Sequence, residues 1–344
     1  MQKPESMRAV GYYKYLPITH PESLLDLQLS VPTPQGRDLL VRIEAISANP
    51  ADPIVRKYEQ AGEGPYILGW DAAGVVVEIG PESTLFKPGD KVFYAGSLVR
   101  PGTNSEFHLV DERIVGRKPQ TLDFAEAASL PLTTITAWES LFDRLGISHS
   151  PEINCNKSIL IIGAAGGVGS IAVQLAKLAG LTVIGTASRP ESAAWVQELG
   201  AEYVINHYED FLPQLQQQGF DNVDYIFCLN NTDQLWNNMT QAIAPQGKIC
   251  LIVENEEPVA LNLLKSKSVT VVWETMFTRS TFQTEDITEQ HHLLNRMAEL
   301  VDEGKIRTVV TERLSPINAA NLRIAHAKME SGSAIGKVVL ERFS

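Results

Sequence analysis

A glycine-rich segment in the middle of the chain has the residue types that bind a phosphate group. It follows an apolar strand candidate, Ser158–Ile162, and reads Gly163-Ala164-Ala165-Gly166-Gly167-Val168-Gly169 as it opens into a helical stretch. Glycines at such a turn let a pyrophosphate approach the backbone, and the N–H groups and positive dipole of the helix N-terminus favour an anion. Because strand, turn and helix occur in this order, the segment predicts a dinucleotide site rather than merely a tight strand–helix connection.

The residues after the next strand indicate which dinucleotide to expect. An NAD site places Asp or Glu there to accept bonds from the ribose 2′-hydroxyl. Here the strand candidate ends in Ser188-Arg189, and the first carboxylate, Glu191, already belongs to the next helix candidate, Pro190–Leu199. A hydroxyl and a guanidinium suit a 2′-phosphate, because Arg can pair with phosphate through two hydrogen bonds. We therefore expect NADPH. The alternative is that Arg189 only lies in a solvated loop.

The surrounding elements predict the fold that positions this turn. From about residue 125 to residue 272, apolar strand candidates alternate with helical stretches, which is typical of a doubly wound parallel sheet. The strand candidates are Ser158–Ile162, Leu181–Thr186, Tyr203–Asn206, Val223–Leu229, Gly247–Val253 and Ser268–Trp273. The first 130 residues are instead β-rich, since Leu39–Ile46 alternates apolar and polar residues and Pro-Gly pairs separate short strands. The predicted fold class is α/β, with a barrel-like or sandwich β domain beside the parallel sheet.

Composition and charge exclude several classes of protein. The chain has 344 residues, enough for roughly two domains. Apolar residues make up 44% and charged residues 20%, which argues against a disordered chain, a coiled coil or a collagen. Acidic residues outnumber basic ones 41 to 29, and the net charge of −12 disfavours nucleic acid and membrane surfaces as partners. Three cysteines without a CxxC pair, and an N-terminus without an apolar leader, predict a cytoplasmic protein.

Motifs spread over nearly the whole chain resemble those of the medium-chain dehydrogenase/reductase superfamily. Beside the glycine turn they are Gly69-Trp70-Asp71-Ala72-Ala73-Gly74-Val75, Pro88-Gly89-Asp90-Lys91-Val92, Ala128-Ser129-Leu130-Pro131 and Thr136-Ala137-Trp138. Within the superfamily the chain is most similar to the quinone oxidoreductase-like branch, often labelled zinc-type alcohol dehydrogenase-like. The resemblance implies a β-rich GroES-like domain, residues 1–130 completed by residues 284–344. It also implies a Rossmann NADP-binding domain, residues 131–283.

The resemblance also bears on metal. The family's alcohol dehydrogenases hold a catalytic zinc with a Cys, a His-Glu pair and a later Cys or Asp, whereas the matching positions here are Asn49 and Trp70-Asp71. Asp71 alone cannot make a zinc site, and no run of cysteines between residues 90 and 130 could form a structural zinc lobe. We therefore expect no metal. The hydride acceptor should need little Lewis-acid help, as a quinone or an α,β-unsaturated carbonyl does.

The resemblance assigns roles to individual residues. Asn49 and Tyr94 are implied as catalytic residues, Asn49 beside the nicotinamide. Tyr58 and Trp70 would line the acceptor pocket, although an aromatic such as Trp70 is equally well explained as core. Besides the glycine turn, the residues implied for the cofactor are Thr136, Ser188, Arg189, His207, Asn230 and Phe277. His207 stands where relatives have a phosphate-contacting Tyr.

The last strand candidate predicts an oligomer. Ser268–Trp273 is apolar and β-branched, and an edge strand of this kind promotes aggregation when left open. We therefore expect it to pair with its copy in a homodimer, the alternative being a helix that covers it. For the activity, the leading interpretation is an NADPH-dependent, zinc-independent reductase. The alternatives are a zinc-dependent alcohol dehydrogenase and a non-catalytic dinucleotide-binding protein.

Overall fold

A computed structural model describes residues 4–59 and 62–343, and the chain divides into two compact units. The first unit is Met1–Ile135 with Phe277–Ser344, and the second is Thr136–Met276. The strands are β1 (Ser6–Tyr12), β2 (Leu25–Ser30), β3 (Asp38–Ser47), β4 (Tyr66–Ile67), β5 (Ala72–Ile79), β6 (Lys91–Tyr94), β7 (Phe107–Asp111), β8 (Val115–Arg117), β9 (Ser158–Ile162), β10 (Thr182–Thr186), β11 (Tyr203–Ile205), β12 (Val223–Cys228), β13 (Ile243–Leu251), β14 (Thr270–Trp273), β15 (Val310–Leu314) and β16 (Lys337–Glu341).

Helices connect most of the strands. They are α1 (Ala51–Tyr58), α2 (Phe124–Ala128), α3 (Pro131–Trp138), α4 (Pro151–Asn154), α5 (Gly167–Leu178), α6 (Pro190–Glu198), α7 (Phe211–Gln217), α8 (Thr232–Ala242), α9 (Thr278–Phe282), α10 (Glu289–Asp302) and α11 (Ala319–Glu330). A π-helical turn, Glu139–Arg144, follows α3, and 3₁₀ segments lie at Glu112–Ile114 and Leu261–Lys267.

The first unit is built on a mostly antiparallel sheet with the order β15-β16-β3-β5-β6-β8 and with β7 also beside β3. Strand β3 is central and pairs antiparallel with β5, β7 and β16. Most of its side chains are buried, while Arg42 and Glu44 are half-buried, which agrees with the alternation in the sequence. Strands β15 and β16 come from the end of the chain, so the sheet that supports the start of α1 needs both ends of the sequence.

The second unit is a parallel sheet with the order β11-β10-β9-β12-β13-β14. The prediction of a doubly wound parallel sheet is confirmed. Every residue of β9 is buried, as expected for a strand covered on both faces. The strand order reverses between β9 and β12, and open α/β sheets bind ligands in the crevice at such a reversal.

Strand β10 begins at Thr182, one residue later than predicted, and two further strands of this sheet also begin elsewhere than the sequence suggests. Strand β14 starts at Thr270 rather than Ser268, because Ser268 closes the preceding 3₁₀ segment with a φ of 52°. Strand β13 starts at Ile243 rather than Gly247, because it follows α8 without a separate loop.

Two of the three cysteines lie in the interior of the protein. Cys228 and Cys250 are buried and free, and burial raises their pKa to about 11 and about 12, so both thiols are neutral. They therefore pack as small apolar side chains.

Among the residues described, no helix combines the length and the apolar character that crossing a bilayer requires.

Candidate functional site

The glycine turn joins β9 to α5 at the carboxyl edge of the parallel sheet. Gly163 has a φ of 82°, which favours glycine, and its N–H donates to Thr186 Oγ1 at 3.0 Å. A Cβ on Gly169 would lie 2.5 Å from the Gly163 carbonyl oxygen and 2.6 Å from Ala164 Cα, so the helix start packs against the turn at backbone distance. Within the described chain no side chain caps α5. Its first N–H groups can therefore bind an anion.

Asn230 lies beside this turn at the reversal of the strand order. It follows β12, and a Cβ on Gly163 would be 3.3 Å from its Nδ2 atom. Its carbonyl oxygen accepts a hydrogen bond from Cys228 Sγ at 3.1 Å, which holds the segment after β12. The structure thus brings Asn230 and the glycine turn together at the crevice where this class of sheet binds dinucleotides.

The residues predicted to contact a 2′-phosphate follow the neighbouring strands β10 and β11. Ser188 is exposed, and Arg189 is the N-cap residue of α6, with its side chain 42% exposed and its Nε atom 3.3 Å from Glu191 Oε1. His207 is half-buried, with its ring 4.5 Å from the exposed ring of Tyr208. Burial lowers the pKa of His207, which favours a neutral imidazole. Thr136, also implied for the cofactor, is buried on α3.

A buried polar cluster lies in the first unit, where β3 leads into α1. Asn49 Nδ2 donates to Asp71 Oδ2 at 2.9 Å and to the Ser47 carbonyl at 3.3 Å, and Asn49 Oδ1 accepts from the Lys337 ammonium. The same ammonium donates to Asp71 Oδ2 at 2.9 Å and to the Ala48 carbonyl at 2.9 Å. The side-chain amide of Asn49 is therefore fully occupied inside the protein. Its predicted catalytic role stays a prediction.

Two buried carboxyl groups lie near this ammonium: Asp71 accepts a hydrogen bond from it, and Asp52 is influenced by its charge. Asp71 Oδ1 accepts from the Leu132 N–H at 2.8 Å, and Asp52 Oδ2 accepts from the Asn49 N–H at 2.6 Å. Burial raises the pKa of Asp71, and nearby Lys337 opposes that shift. Burial raises the pKa of Asp52 to about 7, so its protonated form is well populated near neutrality.

Lys337 and Asp52 were not among the site residues predicted from the sequence. Lys337 begins an apolar strand, and lysine in such a place usually lies in solvent. Asp52 stands three residues after Asn49, in the first turn of α1. An acidic residue there commonly stabilises the helix N-terminus, so the spacing alone does not indicate a functional site. The available signal was the predicted catalytic role of Asn49, whose side-chain amide needs hydrogen-bond partners once it is buried.

The aromatic candidates belong to the interior of the first unit, with one exception. Tyr94 is buried and its O–H donates to His108 Nδ1 at 3.0 Å, while His108 Nε2 donates to the Pro101 carbonyl at 2.9 Å. Burial raises the pKa of Tyr94 and lowers that of His108 to about 4, so both are neutral. Trp70 is also buried, with its ring edge-on to Phe277 at 6.0 Å. Tyr58 is 71% exposed.

These contacts bear on whether a zinc ion fits the first unit. At the positions that match the family's zinc ligands, Asn49 and Trp70 offer no thiolate or imidazole, and Asp71 Oδ2 already accepts from an ammonium. Zinc sites need several Cys, His or carboxylate donors together. Across residues 4–59 and 62–343, no three such side chains form a group that could hold a metal ion. The donor set does not fit zinc.

Comparison with known proteins gives matches along the whole chain. Two family models match, the alcohol dehydrogenase GroES-like domain over residues 35–120 and the zinc-binding dehydrogenase over residues 167–295. A zinc-type alcohol dehydrogenase-like protein of Staphylococcus aureus (strain MRSA252) is 44% identical over 334 residues, 97% of this chain and 99% of that protein. The quinone oxidoreductase of Mus musculus is 30% identical over 288 residues, 80% of this chain and 83% of that protein. A crystal structure from Rhizobium etli CFN 42, provisionally described as a zinc-dependent alcohol dehydrogenase, is 53% identical with a TM-score of 0.94 and covers 99% of both chains.

Proposed function

Because this chain belongs to the medium-chain dehydrogenase/reductase superfamily and is an NAD(P)H-dependent oxidoreductase, we propose that it transfers hydride from NADPH to quinones or α,β-unsaturated carbonyls without zinc. In this proposal the GroES-like first unit holds the acceptor and the Rossmann-like second unit holds the cofactor. The observation that carries it is the pairing of Asp71 with Lys337, which leaves the family's zinc positions without a suitable donor set.

The proposed chemistry asks mainly for positioning from the protein. NADPH, when bound, supplies the hydride, and a quinone or enone develops charge on a carbonyl oxygen that hydrogen bonds can stabilise. The glycine turn would bind the pyrophosphate, and Thr136 and Phe277 the nicotinamide end. Asn49 and Tyr94 would act at the acceptor, with Tyr58 and Trp70 beside them. Holding reactants in place lowers the barrier without a strong base.

An acceptor screen tests the proposal directly. Purified full-length protein is mixed with NADPH and a panel of quinones, enones, aldehydes and ketones, with and without a metal chelator, and NADPH absorbance is followed. We expect oxidation of NADPH by quinones or enones, insensitive to the chelator, in protein that contains less than stoichiometric zinc. The names of two relatives favour one rival, a zinc alcohol dehydrogenase. Turnover only with aldehydes or ketones, lost on chelation, would establish that rival, and binding without any turnover would indicate a non-catalytic protein.

The preference for NADPH rests on Ser188 and Arg189. We expect Arg189→Ala to weaken NADPH binding by roughly 10- to 100-fold, because charged hydrogen bonds to phosphate contribute about 1.5–3 kcal/mol. NADH binding should stay unchanged, since NADH lacks the 2′-phosphate. Titration of both cofactors measures this. Arg296→Ala, which removes another half-exposed arginine paired with a glutamate, is the control and should change neither affinity. Equal binding of NADH and NADPH, unaffected by Arg189→Ala, would contradict the assignment.

The proposed homodimer rests on the edge of the parallel sheet. Strand β14 is the last strand in the sheet order, and Trp273 on it is 47% exposed. Pairing of β14 with its copy across a two-fold axis would cover this edge. We expect light scattering to give a dimer mass, and Trp273→Glu to shift the protein towards monomer. Leu178→Glu, at another exposed apolar position of the same unit, should leave the mass unchanged. A wild-type monomer at all concentrations would rule out the dimer.

The remaining assignments follow from composition. We propose a cytoplasmic enzyme whose partners are a small-molecule acceptor and a second copy of itself. Free cysteines suit a reducing compartment, and the net charge of −12 disfavours nucleic acid and anionic membranes.

A further inference from the structure

The ammonium of Lys337 stands at the centre of the cluster formed by Asn49, Asp71 and the end of β3. We propose that Lys337 is a positioning residue, which fixes the amide of Asn49 and balances Asp71 at the positions of the family's zinc ligands. A side chain of this protein thereby takes the place of a resident cation. The effect on hydride transfer rests on the proposed function, whereas the contacts themselves do not depend on it.

The first argument is that the ammonium is fully coordinated. Lys337 is only 3% exposed, and its Nζ atom donates to Asn49 Oδ1, Asp71 Oδ2 and the Ala48 carbonyl. A lysine ammonium has three hydrogens, so each of them has an acceptor here. A buried charge is tolerated when it is paired and hydrogen-bonded in this way. The acceptors around the Nζ atom therefore form a cation-binding site, and the ammonium of Lys337 occupies it.

The second argument concerns the orientation of the Asn49 amide. Its oxygen faces the ammonium, and its nitrogen faces Asp71 Oδ2 and the Ser47 carbonyl. A flip of the amide would turn the NH₂ group towards the ammonium and the oxygen towards the carboxylate, which creates two repulsive contacts in a buried place. Lys337 and Asp71 together thus permit one of the two orientations. Without them, both orientations become accessible.

The third argument concerns the backbone around Asn49. The Ala48 carbonyl accepts from Lys337, and the Asn49 N–H donates to Asp52 Oδ2 at 2.6 Å, just before α1 begins at Ala51. Ser47 Oγ in turn donates to the Val338 carbonyl at 3.2 Å. Strand β16 therefore stabilises the junction of β3 and α1 through the hydrogen bonds of the Lys337 side chain. Because the glycine turn lies in the other unit, loss of Lys337 should affect turnover more than cofactor affinity.

The first experiment compares charge-neutral variants of the full chain. Lys337→Met alone leaves Asp71 buried without its cation, so the informative variant is Lys337→Met/Asp71→Asn, which removes both charges together. We expect its kcat to fall about 10-fold, because a small misplacement of a positioning group lowers the rate, while KM for NADPH stays within about twofold. Asn49→Ala should give a similar loss, and the triple variant no further loss. Lys305→Met/Glu303→Gln, at an exposed ion pair of the same unit, is the matched control and should have wild-type kcat.

The outcomes separate this inference from the proposed function. Wild-type turnover together with unchanged kcat in Lys337→Met/Asp71→Asn overturns the positioning role, and so do losses that multiply in the triple variant. Absence of turnover in the wild type with every acceptor contradicts the proposed function instead.

A second experiment detects the contact between the Lys337 ammonium and Asn49 without measuring activity. Protein labelled with ¹⁵N-lysine should show one slowly exchanging ammonium signal by NMR, because Lys337 is shielded from water. The signal should disappear in Lys337→Met/Asp71→Asn and shift in Asn49→Ala. A wild-type spectrum without such a signal, or one that Asn49→Ala leaves unchanged, overturns the inference.

Discussion

Gly169→Val is expected to weaken NADPH binding by about 100-fold while the protein still folds. The new side chain would meet backbone atoms, with its Cβ 2.5 Å from the Gly163 carbonyl oxygen and 2.6 Å from Ala164 Cα. Backbone cannot move aside as a side-chain end can, so the turn must open. Overpacking of this kind costs roughly 1–3 kcal/mol, and at its upper end this corresponds to about two orders of magnitude in affinity. Titration of NADPH by calorimetry or fluorescence measures the effect.

A second glycine provides the control for this result. Nothing lies within 4 Å of a Cβ built on Gly64, and its backbone does not need a positive φ. Gly64→Ala should therefore leave both folding and NADPH binding unchanged. If Gly169→Val is folded and still binds NADPH as the wild type does, the glycine turn is not the pyrophosphate site.

Acid should destabilise the first unit through His326. This histidine is fully buried on α11, and neither ring nitrogen has a hydrogen-bond partner in the described part of the chain. Burial, with a smaller contribution from nearby Arg56, lowers its pKa to about 3. An unfolded histidine titrates near 6.5, so between about pH 6.5 and pH 3 the unfolded chain binds a proton that the folded chain does not. The stabilisation is complete above about pH 6.5 and decreases as the pH falls, by up to about 5 kcal/mol.

Urea unfolding near neutral pH and near pH 4 measures this dependence. His326→Leu should reduce the loss of unfolding free energy between neutral pH and pH 4. It should change the unfolding free energy little near neutrality, since an apolar side chain replaces a ring without hydrogen bonds. The exposed His292 provides the control, because His292→Leu should leave the slope unchanged. Asp52 acts in the opposite sense, for its pKa is raised to about 7 and its contribution is lost as the pH rises through that value. If His326→Leu loses as much stability at acidic pH as the wild type does, groups other than His326 cause the loss.

The parallel sheet and the glycine turn were predictable because their signals are local. Apolar runs such as Ser158–Ile162 define buried strands, and strand, turn and helix follow one another within about twenty residues. The cluster around Asn49 was not predictable in this way. Asn49 and Lys337 are 288 residues apart in sequence, and only the pairing of β3 with β16 brings them together. A single sequence does not contain that distance information.

The aromatic candidates show a different limit. The resemblance implied a catalytic role for Tyr94 and a place in the acceptor pocket for Trp70, but the sequence could not distinguish a ring in a site from a ring in the core. Tyr94 stacks on His108 and donates to it, and Trp70 packs against Phe277. A ring that faces a site and a ring that fills the core can stand at the same position in the sequence, and they differ only in what lies across from them.

The division of the chain has a consequence for the order in which the protein can be made. The second unit is one continuous stretch, Thr136–Met276, whereas the first unit needs residues from both ends. A ribosome therefore releases everything required for the parallel sheet before it has made β15 and β16. Until β16 emerges, Asp71 lacks the ammonium that balances it, and the last residues of β3, Ala45, Ile46 and Ser47, lack the strand that pairs with them. The nascent first unit stays incomplete through most of synthesis and closes in a late step of high contact order.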